Sequence, residues 1–308
     1  MASESILAAF DLPVAKRNLF ADSKIWFDYF ALTKPEVNFL IVITTFAGFY
    51  LSSPSGDFPF LRSVNAVLGT LFVASGTGTL NQYLERRFDA QMRRTSRRPL
   101  AAGRLNSSAV LWFGIALSVL GTVYLTVAVN LLASLLALGT LFSYLFFYTP
   151  LKRKSPLCTL VGAVPGAMPP LIGWAAASGQ LSFRASIIYF VLFLWQFPHF
   201  MSIAWMYRED YGRAGYLVLP HDKRERFRLV TWQTLLPLLV LLPISLLPAL
   251  TGQGSPVYYI GAVLLCGGFL YYGARFTLRK SNSSARQLLS ASIIYLPSLF
   301  MLMILLKK

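Results

Sequence analysis

Charged side chains are scarce in this sequence. They make up 13% of its 308 residues, and acids are the scarcer sign, 12 Asp and Glu against 28 Lys and Arg. A soluble domain of this length carries far more charge, so that class is excluded. Cysteine is nearly absent as well. Cys158 and Cys266 lie in apolar segments without pair spacing or histidine partners, which excludes a disulfide framework and a thiolate metal clip and leaves them as packing residues. The first thirty residues carry Glu4, Asp11, Asp22 and Asp28 and lack an apolar run of signal-peptide length. Neither a secretory signal nor an acid-poor transit peptide is expected, and a bacterial plasma membrane is the expected location.

What is present is apolar: 56% of the residues are hydrophobic and the mean hydropathy is +0.57, values of an integral membrane protein. A spanning helix needs roughly 20 apolar residues, and hydropathy with turn punctuation predicts nine, at about 36–52, 64–84, 107–128, 130–148, 157–177, 184–206, 230–250, 256–274 and 288–306. The fold class is therefore an all-α transmembrane bundle, a single domain over residues 32–308. A cytoplasmic or interfacial segment, 1–31, precedes it, and its aromatic stretch KIWFDYFALTKP suits membrane lipid at the interface.

Basic residues concentrate in alternate loops. With the amino terminus inside, only Arg62, Arg184, Lys307 and Lys308 of the 28 fall outside, which sets a cytoplasmic amino terminus and an outer carboxyl terminus. The net charge of +16 sits in short loops beside anionic headgroups, so nucleic acid is not an expected partner. Exterior loops are short and bland, as in TGQGSP, whereas the interior loops after the second and sixth spans hold most acids and bases. Both of those spans run into a charged cluster that ends in a proline-marked segment, RRPL and LVLP, a faint sign of a repeat.

The first cluster is NQYLERRFDAQMRRTSRRPL, residues 81 to 100. On a helix, residues four apart lie one turn up, so Asn81, Glu85 and Asp89 form one ridge of oxygens. Two readings are open. The ridge is either a solvated helix end laced with salt bridges or a site for a divalent cation. Like charges at i,i+4 cost a few tenths of a kcal/mol, so a positive group belongs between Glu85 and Asp89. Mg²⁺ prefers one or two carboxylates plus phosphate oxygens and water, and arginine forks match phosphate. Together these describe a metal-bridged diphosphate site. Glu209 and Asp210, where the sixth span leaves the membrane on the same side, are candidates for a second metal or for a loop cap. Asp222, Glu225 and His221 belong to a solvated charge run.

Within the fifth span Gly162, Pro165, Gly166, Pro169, Pro170 and Gly173 interrupt the helical ladder, which fits a kink for packing or a cavity wall. His199 lies inside the sixth span, where an ionisable residue is a candidate by default. A functional contact and a hydrogen-bonded packing role are both open to it. Were the sixth helix continuous to Asp210, both side chains would project within about 20° of one direction.

The blocks LTKPEVNFLIVITTFAGFYL, NQYLERRFDAQMRRTSRRPLAAGRL, YTPLKRKSPLCTLVGAVPGAMPPLIGW and WQFPHFMSIAWMYREDYGRAGYLVLP resemble the UbiA superfamily of intramembrane prenyltransferases, and within it the branch that farnesylates heme. They cover residues 32 to 220. Three departures stand out: Glu85 where many members carry Asp, Glu36 where a basic residue is usual, and a second acidic motif reduced to Glu209 and Asp210. The resemblance implies a UbiA-type bundle with a central cavity open toward the cytoplasm. It implies Mg²⁺ as cofactor at Asn81, Glu85 and Asp89, with Glu209 and Asp210 as further ligands. Lys34, Arg93, Arg97, Arg98, Lys152 and Arg153 would bind diphosphate. Farnesyl diphosphate and heme B are the implied substrates, with His199, Trp195 and Trp205 toward the heme, and for His199 the resemblance leaves iron ligation, a polar contact with the heme and a packing role open. Tyr144, Phe147, Tyr148 and Phe197, with the two tryptophans, are candidates to face an allylic cation. Heme A synthase or terminal-oxidase assembly proteins are the implied partners. A UbiA enzyme acting on a small aromatic acid and an anion transporter are the alternatives, though transporters place their sites nearer the membrane midplane.

Overall fold

The computed structural model describes residues 23–54, 56, 58–248 and 255–307. Residues 1–22, with Lys16 and Arg17, most of the TGQGSP loop, and Lys308 lie outside them. Among the described residues nine helices are long and apolar enough to cross a membrane. In chain order the elements are α1 (Ser23–Leu32), α2 (Pro35–Ser52), α3 (Phe60–Asp89), α4 (Ser107–Ala128), α5 (Leu131–Leu151), α6 (Cys158–Gly166), α7 (Met168–Ser178), α8 (Phe183–Met206), α9 (Arg208–Arg213), α10 (Lys223–Pro248), α11 (Pro256–Arg279) and α12 (Asn282–Leu305). The fifth span is α6 and α7 together, and Ser143–Tyr148 within α5 is π-helical.

Side-chain caps start many of these helices. Asn106, Asn130, Ser182 and Ser255 accept from the backbone N–H groups that α4, α5, α8 and α11 leave unpaired, and Ser281 opens α12 with a reciprocal capping box. Asn130 also donates to the Ala175 carbonyl at 2.8 Å, which ties the start of α5 to α7.

The fifth span breaks at Ala167, whose φ of −93° and ψ of −1° separate α6 from α7. Close packing is what its glycines serve. Gly173 of α7 and Gly48 of α2 let the two backbones touch: a Cβ on Gly173 would lie 1.9 Å from the Thr45 carbonyl oxygen, and one on Gly48 would lie 2.1 Å from that of Pro170. Without a hydrophobic drive between helices in lipid, close approach of this kind is a main source of packing energy. Apolar side chains gather in two large clusters, one from α3, α4 and α5 and one from α8, α10, α11 and α12, with α2 and α7 contributing to both, and in two small ones around Leu32 and Met92. At the far end Lys307, just past α12, donates its ammonium to the carbonyls of Tyr50 and Ser53 at the end of α2, each at 2.5 Å. The last span is thereby fastened to the first.

α1 keeps Trp26, Phe27 and Phe30 exposed while Leu32 is fully buried, the amphipathic disposition of a helix lying in an interface. A bidentate pair between Arg104 and Asp28 anchors it to the loop after α3.

Candidate active site

α3 does not stop where its apolar run does. Leu, Gln, Glu and Arg are strong helix formers, and they carry α3 on to Asp89. Asn81, Glu85 and Asp89 therefore share one helical ridge, and all three are buried. Each is held by a cation from a different part of the chain. Lys34, in left-handed backbone geometry at the start of α2, donates to Asn81 Oδ1 at 2.7 Å. Lys152, just past α5, pairs with Glu85 Oε1 at 2.8 Å, and Arg98 pairs with Asp89 Oδ2 at 2.7 Å. Asn81 also donates to Thr149 Oγ1 at 3.2 Å.

The three cations are not equivalent. Burial pushes the Lys34 ammonium down to about 7, and the nearby Arg98 charge works in the same direction against Glu85. Burial alone would lower Lys152 too, but the Glu85 carboxylate and the neighbouring tyrosines carry it well above its ordinary value. A lysine beside a neutral amide thus gives up its proton readily, whereas one beside a carboxylate keeps it.

The interior loops close over the ridge. Leu217 N–H donates to the Lys152 carbonyl at 2.7 Å, and the Arg153 guanidinium lies 4.2 Å from the centre of the Phe88 ring. Asp210 accepts from the Arg213 guanidinium and from the Arg94 N–H, so it fastens the loop after α3 to α9. Glu209 is exposed, its nearest partner being Arg208 at 3.9 Å, and the structure does not bring it to the ridge. Arg93 and Arg97 are exposed beside the site. Of the arginines in this stretch, Arg98 is the one that reaches the ridge.

Tyr216 belongs to this neighbourhood and is absent from the sequence-based candidates. Its phenol is buried without a hydrogen bond. Burial, followed by the negative charge of Glu85, raises its pKa well above the ordinary value. The hydroxyl is thus close enough to act on the Glu85 carboxylate. Its signal in the sequence is position, six residues after Asp210 in the same interior loop.

Among the described residues no three His, Cys, Asp or Glu side chains gather as a metal site, so a cation here would rely on two carboxylates, one amide and oxygens brought by a substrate. Those donors are hard oxygens, and Asp89 Oδ1 is buried and accepts no hydrogen bond. A free lone pair on a buried carboxylate suits Mg²⁺, so the residues fit that ion.

The heme candidates separate. Trp195 and His199 stack with ring centroids 4.6 Å apart. Trp205, about 120° round the helix from His199, packs instead against Phe227 and Phe276. α8 ends at Met206 and Tyr207 (φ −105°, ψ 18°) turns the chain before α9, so the continuous helix that would align His199 with Asp210 does not exist. Of the aromatic candidates, Tyr144 and Tyr148 pack together at 4.9 Å and Phe197 is buried, whereas Phe147 is 58% exposed.

The sequence profile of the UbiA prenyltransferase family matches residues 41–303. A protoheme IX farnesyltransferase of Solibacter usitatus (strain Ellin6076) is 45% identical over 289 residues, covering 90% of this chain and 98% of its own length. One of Koribacter versatilis (strain Ellin345) is 40% identical over 287 residues, covering 90% and 92%. Among solved structures, a digeranylgeranylglyceryl phosphate synthase superposes with a TM-score of 0.73 at 17% identity, over 90% of this chain and 96% of that one. A UbiA homolog from Archaeoglobus fulgidus bound to DMAPP and Mg²⁺ gives 0.62 at 16% identity, over 90% and 99%. At those identities the structures share the fold, while the profile and the curated relatives extend over most of the sequence: the chain is a multi-pass membrane enzyme of the UbiA prenyltransferase family.

Proposed function

We propose that this chain transfers a farnesyl group from farnesyl diphosphate to a vinyl carbon of protoheme IX, with addition of water, giving heme O and diphosphate. Three buried oxygen-bearing side chains on one ridge, each clamped by a cation from a different segment, carry the reading of a prenyl diphosphate site. The acceptor follows from the curated relatives, which are protoheme IX farnesyltransferases. Mg²⁺ at Asn81, Glu85 and Asp89 would neutralise charge on the leaving diphosphate.

Lys34, Lys152 and Arg98 then have a second role. Each already holds a ridge oxygen, and each can give part of that contact to a phosphate oxygen, so the polyanion enters a site whose basic side chains are positioned beforehand. Arg93, Arg97 and Arg153 at the exposed edge meet its outer oxygens. Departure of diphosphate leaves an allylic cation, for which Tyr144 and Tyr148 offer ring faces away from bulk water. The vinyl carbon of the porphyrin attacks that cation, and water captures the positive charge left beside the ring. Trp195 and His199 face the heme, with Trp205 behind them in the packed wall. We assign no second cation to Glu209 and Asp210: one is solvated and the other is committed to Arg213 and Arg94.

The enzyme lies in a bacterial inner membrane with its amino terminus and diphosphate site facing the cytoplasm, and it serves heme-copper oxidase biogenesis. Purified protein incubated with heme, farnesyl diphosphate and Mg²⁺ should yield a porphyrin heavier by one farnesyl group plus hydroxyl. Release of diphosphate with a phenolic acceptor but not with heme would overturn the choice of acceptor.

A further inference from the structure

α8 and α12 meet at a cluster that the diphosphate site does not use. Trp195 Nε1–H donates to the Ser292 carbonyl at 2.8 Å. His199 Nδ1 lies 2.8 Å from Ser292 Oγ, and the indole and imidazole rings stack with an interplanar angle of 26°. Ser292 is fully buried.

A serine hydroxyl has one proton to give. Here it goes to the Leu289 carbonyl, 2.6 Å away, the local bond that serine commonly makes within helices. Turning that proton toward His199 would leave two oxygens facing each other lone pair to lone pair across the same gap. Ser292 Oγ is therefore the acceptor and His199 Nδ1–H the donor. In a neutral imidazole one nitrogen carries the proton and the other the lone pair, so the lone pair lies on Nε2. That atom makes no hydrogen bond among the described residues.

The direction of the ring follows from the helix. His199 is nine residues beyond Phe190, which places the two about 180° apart. Phe190 is 45% exposed, so His199 projects to the inner side of α8, between buried Trp195 and Ser202. Its ring is partly accessible there. A histidine held through Nδ1–H, with Nε2 free and its plane fixed by a stacked indole, has the form in which imidazole binds transition metals.

We infer that Ser292 is a positioning residue that holds His199 in the Nδ1–H tautomer and presents Nε2 to the iron of a tetrapyrrole. The inference rests on the heme reading above. To test it, ferric heme B is titrated into detergent-purified protein carrying Ser292→Ala, Ser292→Thr or His199→Ala, with iron-free protoporphyrin IX as control. Absorbance and the iron–nitrogen band in resonance Raman are read, and farnesylated product is followed separately by mass. Ser292→Ala removes Oγ but keeps the backbone carbonyl that holds Trp195.

Loss of a partner to a metal-bound histidine costs about 10- to 100-fold in affinity, and heme affinity should fall by that factor in Ser292→Ala with a shifted iron–nitrogen band. Ser292→Thr, which retains a hydroxyl, should restore both, and protoporphyrin affinity should stay constant throughout. Unchanged heme affinity and band in Ser292→Ala would overturn the inference, as would an equal loss for protoporphyrin, which marks a packing role. The tautomer can be read without any change at Ser292. The chain has two histidines, so isotope-labelled histidine NMR of His221→Gln reports on His199 alone, and a protonated Nε2 would overturn the assignment. Farnesylated heme formed with a spectrum indifferent to His199 and Ser292 sinks this inference and leaves the transferase reading standing. Wild-type protein that neither binds heme nor forms product sinks both.

Discussion

Asp89→Asn keeps the shape of the side chain and an acceptor for Arg98, and removes only the charge. Turnover should fall by about 100-fold or more, as when one preorganised electrostatic contact to a transition state is lost, while the yield of folded protein stays near wild type. Normal Mg²⁺-dependent turnover in that variant would remove the ridge from the chemistry. Lys34 makes a different kind of prediction. Because burial holds its ammonium near 7 against an ordinary 10.5, a bound diphosphate should return the proton. Farnesyl diphosphate binding should thus take up a proton, and affinity should fall as pH rises through that window. Calorimetry in buffers of different ionisation enthalpy measures the uptake, and Lys34→Met should abolish it. In the free protein the same shift has the opposite sense: the unfolded chain holds more protons between those values, so stability rises with pH across them. The spacing of Asn81, Glu85 and Asp89 was legible in the sequence because a helix fixes it. Which cation meets which oxygen was not, since Lys34 and Lys152 lie 47 and 67 residues from their partners and Arg98 differs from Arg97 only in direction. Thr149 and Ser292 escaped notice as lone hydroxyls in apolar or loop-like surroundings.

At the scale of elements, the nine spans were legible because hydropathy measures what lipid demands. Their ends were less so. The apolar run of α3 ends near residue 84 and the helix runs to Asp89, as the ridge reading requires, because helix propensity outlasts hydrophobicity once the chain leaves the bilayer core. α8, with a similar charged cluster after it, stops at Met206, so the apparent repeat does not extend to backbone geometry. The broken fifth span was foreseen from its glycines and prolines, but not that the gap falls at Ala167 or that the glycines serve an approach to α2. Gly173→Val tests that role. Its Cβ would meet the Thr45 carbonyl oxygen at 1.9 Å, so α2 and α7 must separate, at a cost typical of overpacking, about 1–3 kcal/mol. The thermal unfolding midpoint in detergent should drop. Gly267→Ala on α11, where nothing lies within 4 Å of a new Cβ, should leave it unmoved, and equal behaviour of the two variants would count against a backbone contact between α2 and α7.

For the molecule as a whole, the distribution of charge and the position of the site make one claim together. A prenyl diphosphate carries its charge on a headgroup that cannot cross hydrocarbon, so the ridge must open toward the compartment that supplies it. The ridge ends α3 on the side where the basic loops lie, and anionic headgroups and the insertion machinery both favour holding such loops in the cytoplasm. Orientation and chemistry therefore stand or fall together, and labelling can separate them from every statement about catalysis. Both native cysteines are buried and free, which leaves a low background for an added thiol. Gln180 lies in an exposed turn between α7 and α8, and Ser283 is exposed at the start of α12. In intact spheroplasts a membrane-impermeant maleimide should modify Gln180→Cys at once and reach Ser283→Cys only after permeabilisation. The reverse pattern would put Lys34, Lys152 and Arg98 on the outer face, away from any cytoplasmic prenyl diphosphate, and the proposed reaction would lose its substrate even with the ridge intact.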